Sequence, residues 1–249
     1  MNLHREEPLA GGNTGVSVIR VGDTVRRPAR PWSSSVDALL LHLESIGFEG
    51  APRALGYDDL GRQVLSYIPG DASPDPGDLG VSDIESVGRL IREFHDAAST
   101  FIPPRRLGLE RCHHAGCPGS HLPSRPGSVE PRQGSRPVCL HRPGSRLWDL
   151  AYAAHGFAPL SPRYRRKWPE TANRLRVLAN GYGLDGKGRA ALAEMLAPRI
   201  NSMYQLLARG SETGAELWRM LWSQGHGEAW LDDYEFAEER LEHWRDALS

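Results

Sequence analysis

VSVIRVGDTVRRP, residues 16–28, places a Gly22–Asp23 pair between two short runs that contain β-branched residues. Glycine tolerates positive φ, so the pair predicts a tight turn and the two runs predict the strands of a hairpin. A weaker strand is predicted just before them, at Pro8–Gly12. The chain should therefore begin with a small antiparallel sheet.

A helix and two further strands are predicted after the hairpin. Ser33–Ser35 offers N-caps to a helix that Gly47 ends. Its apolar residues recur with the 3.6-residue period of a helix: Val36, Leu39, Leu40, Leu43 and Ile46. Strands are predicted at Ala54–Tyr57 and Arg62–Ile68, and the second stops at Pro69–Gly70.

The rest of the chain has helical periodicity. Ser82 followed by Glu85 is typical of a capping box. Further helices are predicted at 147–157, 163–178, 188–208 with a kink at Pro198, 212–223, and along one last stripe from Trp230 to Leu248. The predicted fold class is α+β, with a β-rich unit at 1–68, a linker at 69–80 and a helical unit at 81–249.

Composition excludes several classes of protein. The chain has 249 residues and is 39% hydrophobic, and none of its apolar runs approaches the length of about 18 residues that a membrane span needs. Its first residues do not resemble a targeting leader, so we expect a cytoplasmic protein without a membrane partner. The formal net charge of -1 and the absence of a basic face outside 105–146 argue against a nucleic-acid partner.

Residues 105–146 differ from the rest of the chain. They contain all three cysteines, but no Asp, Lys, Asn, Thr, Ile, Met, Phe, Tyr or Trp. Such a segment lacks the apolar side chains that offset the entropy of ordering, so we expect an irregular or disordered insertion. A zinc knuckle is an alternative, with these candidate ligands: Cys112, His113, His114, Cys117, His121, Cys139 and His141.

Four blocks of sequence carry a family resemblance: LAGGN at 9–13, VIRVGDTVRRP at 18–28, GFEGAPR at 47–53 and RLWDLAYA at 146–153. They resemble the aminoglycoside phosphotransferase family, and more narrowly its bacterial trifolitoxin-immunity-like branch. The resemblance implies a protein-kinase-like fold with a small β-rich N-lobe and a larger helical C-lobe. It also implies ATP and Mg²⁺ as cofactors and transfer of phosphate to the hydroxyl of a small molecule.

The resemblance assigns roles to residues of the β-rich unit. Gly11, Gly12 and Asn13 match the turn that approaches the ATP phosphates. Arg26 or Arg27 would replace the basic residue of the third strand, although both are equally well explained as exposed strand residues. Asp37 or Glu44 on the next helix would be its partner, although a solvated helix face explains both residues better. Ser66, Tyr67 and Ile68 would offer backbone groups to adenine.

The catalytic parts that the resemblance implies are missing from the translated chain. The family places a His-x-Asp loop, a metal-binding Asn and an Asp-x-Asp strand end between the flanking helices. Between Glu110 and Asp149 the sequence has Glu130 as its one acidic residue and no Asn. We therefore expect an inactive member with no catalytic residue. Alternatives are a nucleotide-binding, ligand-binding or immunity-type protein, or the zinc-binding insertion.

A frameshift explains this absence. If the codons are read one nucleotide forward, those of His121–Pro126 permit Ile-Cys-His-x-Asp, and those of Glu130–Pro131 must give Asn or Ser at the metal-binding position. The original frame resumes by Pro143–Leu147, which requires a second lesion nearby. The resemblance implies that this segment forms the floor of the cleft between the two lobes. We expect its replacement by an irregular segment to expose apolar surface on the flanking helices and to lower stability. His95 and Asp149 are predicted to be structural.

Overall fold

A computed structural model describes residues 6–9, 18–70, 78–103, 145–163, 170–213 and 216–249. These residues form one five-stranded antiparallel sheet near the N-terminus and are mostly helical beyond it. The α+β class predicted from the sequence is thereby confirmed. The division at 1–68, 69–80 and 81–249 stays a prediction.

The sheet has the order β1-β2-β3-β5-β4, and each pair of neighbouring strands is antiparallel. Its strands are β1 (Glu7–Pro8), β2 (Ile19–Val21), β3 (Thr24–Pro28), β4 (Ala54–Tyr57) and β5 (Arg62–Ser66). The predicted hairpin is β2–β3, where Gly22 has a φ of 60°. The first strand was predicted at Pro8–Gly12, whereas β1 ends at Pro8. Residues 10–12 lie outside the described residues.

Helix α1 (Ser33–Ser45) connects β3 to β4 and packs on one face of the sheet. Leu40 and Leu43 of this helix form a buried cluster with Leu65 of β5. The predicted serine caps are wrong, because Trp32 precedes the helix and makes no side-chain cap bond. The hydroxyl of Ser33 instead accepts a hydrogen bond from the Arg30 amide at 2.9 Å.

The helices after the sheet are α2 (Val81–Ala98), α3 (Arg146–Phe157), α4 (Thr171–Tyr182), α5 (Gly186–Glu212), α6 (Glu216–Ser223), α7 (His226–Glu238) and α8 (Leu241–Leu248). Apolar side chains from α2, α3, α4, α5, α7 and α8 form one core. In the described part of the chain, no helix combines the length and apolarity that a membrane crossing needs.

Helices α2 and α4 cross at a pair of glycines. A Cβ atom on Gly88 would lie 2.4 Å from the Leu178 carbonyl oxygen, and one on Gly181 would lie 2.1 Å from the Glu85 carbonyl oxygen. Both distances are far shorter than a van der Waals contact. The absence of side chains is therefore what lets these two backbones touch.

Two local predictions for the helices are wrong. The first turn of α2 is capped by Asp83, whose carboxylate accepts a hydrogen bond from the Gly80 amide at 2.8 Å, and not by Ser82 with Glu85. Helix α5 contains Pro198 and ends at Glu212, and the kink at Pro198 stays a prediction. The last stripe forms two helices, and the indole of Trp244 donates to the Ala237 carbonyl at 2.9 Å across the break. Both helices face the same core, so the apolar spacing hides that break.

The sheet and the helical part meet through α1 and α2. The rings of Phe48 and Phe94 lie 6.0 Å apart, and Nε2 of His42 lies 2.9 Å from the Thr100 hydroxyl. Helix α1 and the loop after it thus pack onto the end of the helix that precedes residues 104–144.

Candidate functional site

The register of the sheet separates the two arginines that were candidates for binding phosphate. Arg26 pairs with Val64, whereas Arg27 pairs with Gln63. Neighbouring strand residues point to opposite faces, so only one of the two arginines shares a face with Leu65 and helix α1. That arginine is Arg27.

Arg26 interacts within the other face of the sheet. Its guanidinium donates to the Thr24 hydroxyl at 2.7 Å and lies 3.4 Å from the Asp58 carboxylate. Asp58 also accepts bonds from the backbone and side chain of Arg62. Burial opposes ionisation of Asp58, but the Arg62 and Leu60 hydrogen bonds outweigh it and hold the pKa of Asp58 below its ordinary value. Arg26 therefore belongs to the ion pairs of the β4–β5 turn.

Arg27 is tied to helix α1 through a buried glutamine. Its Nε donates to Oε1 of Gln63 at 2.6 Å, and Nε2 of Gln63 donates to Oδ1 of Asp37. The Gln63 side chain is fully buried. Among the residues that the structure describes, no second hydrogen bond or ion pair of the Arg27 guanidinium is found. Its Nη groups are the donors that can meet an anion.

The far end of this chain of hydrogen bonds is Tyr57. Its hydroxyl donates to Oδ2 of Asp37 at 2.7 Å. This bond to a carboxylate, together with burial, raises the pKa of Tyr57. Both oxygens of Asp37 are thus occupied, and four elements, β3, β5, α1 and β4, are joined by polar side chains. We call Arg27, Gln63, Asp37 and Tyr57 the sheet network.

The predicted adenine edge, Ser66 to Ile68, lies where β5 ends. The amide of Ser66 donates to the Arg53 carbonyl at 3.0 Å, and that of Tyr67 donates to the Asp23 carbonyl at 2.9 Å. Those two amides are therefore used within the sheet. The guanidinium of Arg20 lies 3.9 Å from the centre of the Tyr67 ring, and Ile68 is exposed. Adenine recognition by this edge stays a prediction.

Several predicted site residues lie outside the described residues. They are Gly11, Gly12 and Asn13, all seven candidate zinc ligands, and the segment assigned to the frameshift. Within the described residues, no group of three His, Cys, Asp or Glu side chains is arranged to hold a metal ion.

A second candidate site is a cavity of about 540 Å³ between α2, α3 and α7. Its lining is largely aromatic and apolar: Ile91, Phe94, His95, Asp149, Tyr152, Ala153, His155, Gly156, Phe157 and Trp230. His95 is buried, with Nδ1 2.8 Å from the Tyr182 hydroxyl and Nε2 3.4 Å from the Asp149 carboxylate. Asp149 is the acidic group of this lining and is exposed at its edge. Asp149 and His95 contact each other, as expected for structural residues, although both also line the cavity.

On the side of the cavity formed by α3 and α7, a buried carboxylate bonds to one of the lining residues. Nε2 of His155 lies 2.9 Å from Asp233, which is 3% exposed. The His155 ring stacks on Trp230 with their centroids 4.4 Å apart, and Tyr152 stacks on the same indole at 6.4 Å. Ring stacking and the hydrogen bond to Asp233 together hold these side chains, so the cavity offers a preformed surface for an apolar or aromatic group.

Comparison with known proteins agrees with the narrower of the two resemblances. The chain is 32% identical over 222 residues to a trifolitoxin immunity protein of Rhizobium leguminosarum bv. trifolii, covering 78% of this chain and 80% of that relative. The chain belongs to the trifolitoxin immunity protein family. No protein-family model and no solved structure matches it. The trifolitoxin-immunity branch is thereby confirmed, while the wider assignment to aminoglycoside phosphotransferases stays a prediction.

Sequence reasoning missed two residues of the sheet network. Gln63 and Tyr57 were assigned only to strands, although Gln63 alternates with Leu65 on what proves to be the inner face. A polar side chain at an inward position of a strand is a signal of a buried hydrogen bond. Asp37, a candidate partner for an arginine or part of a solvated helix face, bonds to Gln63 and Tyr57 and has no direct contact with Arg27 among the contacts of the described residues.

Proposed function

We propose that this member of the trifolitoxin immunity protein family is a kinase-like protein that binds ATP on the α1-facing side of its sheet. As translated, it binds the nucleotide without transferring phosphate. The observation that carries the proposal is the placement of Arg27 on β3, tied through Gln63 to Asp37 on α1.

The order of elements supports a kinase-like fold. Three strands, one helix and two strands precede a helical part, and the helix connects β3 to β4. In protein kinases a basic residue of the third strand meets the ATP phosphates and pairs with an acidic residue of the following helix. Arg27 on β3 and Asp37 on α1 are the candidates for these two roles.

The chemistry of Arg27 suits binding better than catalysis. A guanidinium presents several donors in a plane and pairs well with phosphate oxygens. The resemblance places the metal-binding carboxylates between Glu110 and Asp149, where the sequence offers only Glu130 as an acidic group.

ATP binding is tested by thermal unfolding with and without nucleotide. A ligand at 100 times its Kd stabilises the folded state by about 2.7 kcal/mol, which is readily measured. We expect ATP to raise the melting temperature of the natural chain and of Arg26→Ala. In Arg27→Ala we expect most of that increase to be lost. Equal responses of the two variants, or no response in the natural chain, would refute the assignment.

Loss of phosphate transfer is tested by an assay of purified protein. The protein should release no phosphate from ATP above background, since no His-x-Asp base is present in residues 105–146.

The frameshift hypothesis is tested by the sequence of the gene. The nucleotide sequence across His121–Pro143 should encode His-x-Asp and a downstream Asn when read one nucleotide forward. If it does not, the frameshift hypothesis is wrong.

A second candidate function is immunity through direct binding of a toxin. The cavity beside Trp230 favours it, because its aromatic lining is preformed. Expression of this chain in a trifolitoxin-sensitive strain should then protect growth, and Trp230→Ala should abolish protection. Trp222→Ala is the control, since Trp222 lies on α6 away from the cavity lining. Equal protection by both variants would exclude the cavity.

A further inference from the structure

The buried amide of Gln63 has a fixed orientation. Its Oε1 faces a guanidinium and its Nε2 faces a carboxylate. Turning the amide over would set donor against donor at Arg27 and acceptor against acceptor at Asp37. Full burial leaves no water to compensate for that mismatch, so one orientation is strongly favoured.

The same amide separates two opposite charges. A direct ion pair would hold the Arg27 guanidinium on the carboxylate and reduce its attraction for another anion. Through a neutral amide, Asp37 fixes the direction of Nε without contacting the guanidinium itself. The positive charge of the guanidinium then remains available to another anion.

Asp37 is in turn held from its other side. The Tyr57 hydroxyl donates to the second carboxylate oxygen at 2.7 Å, so the carboxylate cannot rotate towards Arg27 without losing this bond. The order of hydrogen bonds from Tyr57 through Asp37 and Gln63 to Arg27 is therefore fixed at every step. A direct pair of Arg27 with α1 is not needed to align it.

We propose that Gln63 is a positioning residue, whose buried amide links Asp37 on α1 to Arg27 on β3 and aims the Arg27 guanidinium at the phosphate groups of a bound nucleoside triphosphate. This rests on the proposed ATP binding. It adds that helix α1 controls phosphate affinity through a neutral side chain of β5. A change at Gln63 should therefore act on the phosphates and leave recognition of the base unchanged.

The test compares the Kd of ATP with that of adenosine by calorimetry. Gln63→Leu should weaken ATP about tenfold, as expected for the loss of one hydrogen bond to a charged group, and leave adenosine unchanged. In the double variant with Arg27→Ala, the loss should not exceed that of Arg27→Ala alone. Val64→Ala is the control, because Val64 is the next residue of β5 and faces the other side.

The outcomes separate the two proposals. If the natural chain does not bind ATP, the proposed function fails and the role of Gln63 falls with it. If Arg27→Ala weakens ATP but Gln63→Leu does not, ATP binding stands and the positioning role is wrong. Equal weakening of ATP and adenosine by Gln63→Leu would make Gln63 merely structural and would also overturn the inference.

A second variant covers the case in which Gln63→Leu does not fold. Asp37→Asn keeps the size of the side chain at a partly exposed position and removes its charge. We expect it to weaken ATP about threefold, with adenosine unchanged, since the anchor of the Gln63 amide is weakened. An unchanged Kd for ATP in this variant would also contradict the proposal.

Discussion

In the helical part, nineteen buried apolar residues of the described chain form one cluster, whereas the sheet and α1 contribute a cluster of three, Leu40, Leu43 and Leu65. The sheet compensates with polar contacts. The sheet network joins one face of the sheet to α1. Further ion pairs of the sheet involve Arg26, Asp58, Arg62 and Glu6. A region with few buried apolar contacts opens locally more easily than one with many. We therefore expect the sheet to be the more adaptable of the two parts, as suits a binding surface.

The largest effect is expected at the crossing of α2 and α4. Gly181→Ala places a Cβ atom against the Glu85 carbonyl and should cost about 3 kcal/mol of unfolding free energy, because two backbones must separate. Urea unfolding measures the loss. Gly186→Ala is the control, since no atom lies within 4 Å of its Cβ position, and its stability should be nearly unchanged. Equal stability of the two variants would show that α2 and α4 are not in close backbone contact at Gly181.

The next effect tests whether the sheet opens independently. Leu43→Ala removes the fully buried side chain at the centre of the small cluster and should cost about 2 to 3 kcal/mol. Hydrogen exchange should show the loss of protection in β3, β5 and α1, while amides of α4 and α5 stay protected. Leu196→Ala in the large cluster is the matched substitution, and it should lower protection in the helices. Identical exchange patterns would remove the distinction between the two parts.

The polar wall of the cavity is expected to contribute less than the apolar core. His155→Leu leaves the buried Asp233 carboxylate without its closest partner and should cost about 2 kcal/mol. Arg163→Ala should cost under about 1 kcal/mol, because the Arg163 side chain is half exposed and 3.4 Å away. Thermal unfolding of both variants checks the order. A larger loss for Arg163→Ala would mean that Arg163, and not His155, is the main partner of the Asp233 carboxylate.

The smallest effect concerns pH and the ion pairs of the sheet. The pKa of Asp58 is lower in the folded chain, so its stabilising contribution is full above its unfolded pKa of about 3.9 and is lost as pH falls through the folded value. Asp58→Asn should therefore reduce stability at pH 6 and have little effect at pH 2. Chemical unfolding at the two pH values measures this difference. A loss that is the same at both pH values would assign the role of Asp58 to its neutral hydrogen bonds alone.

Much of the secondary structure was predictable because it depends on local pattern. The Gly22–Asp23 turn, the stripe of Leu40 and Leu43, and the periodicity of α2 to α4 predicted their elements. Caps and breaks were less predictable, since Ser82 was predicted as the cap of α2 and only the geometry of the first turn shows that Asp83 bonds the Gly80 amide instead. The cavity was not predicted, because its walls come from helices that are distant in the chain.

The sequence by itself determined most of the elements, the resemblance to trifolitoxin immunity proteins and the absence of a His-x-Asp loop, because each depends on a few neighbouring residues. Arg26 and Arg27 lie next to each other on one strand, so their side chains face opposite ways. Only the tertiary structure decided which of the two faces α1. That choice depends on the register of β3 against β5 and on the docking of α1, which are long-range contacts that no local pattern specifies.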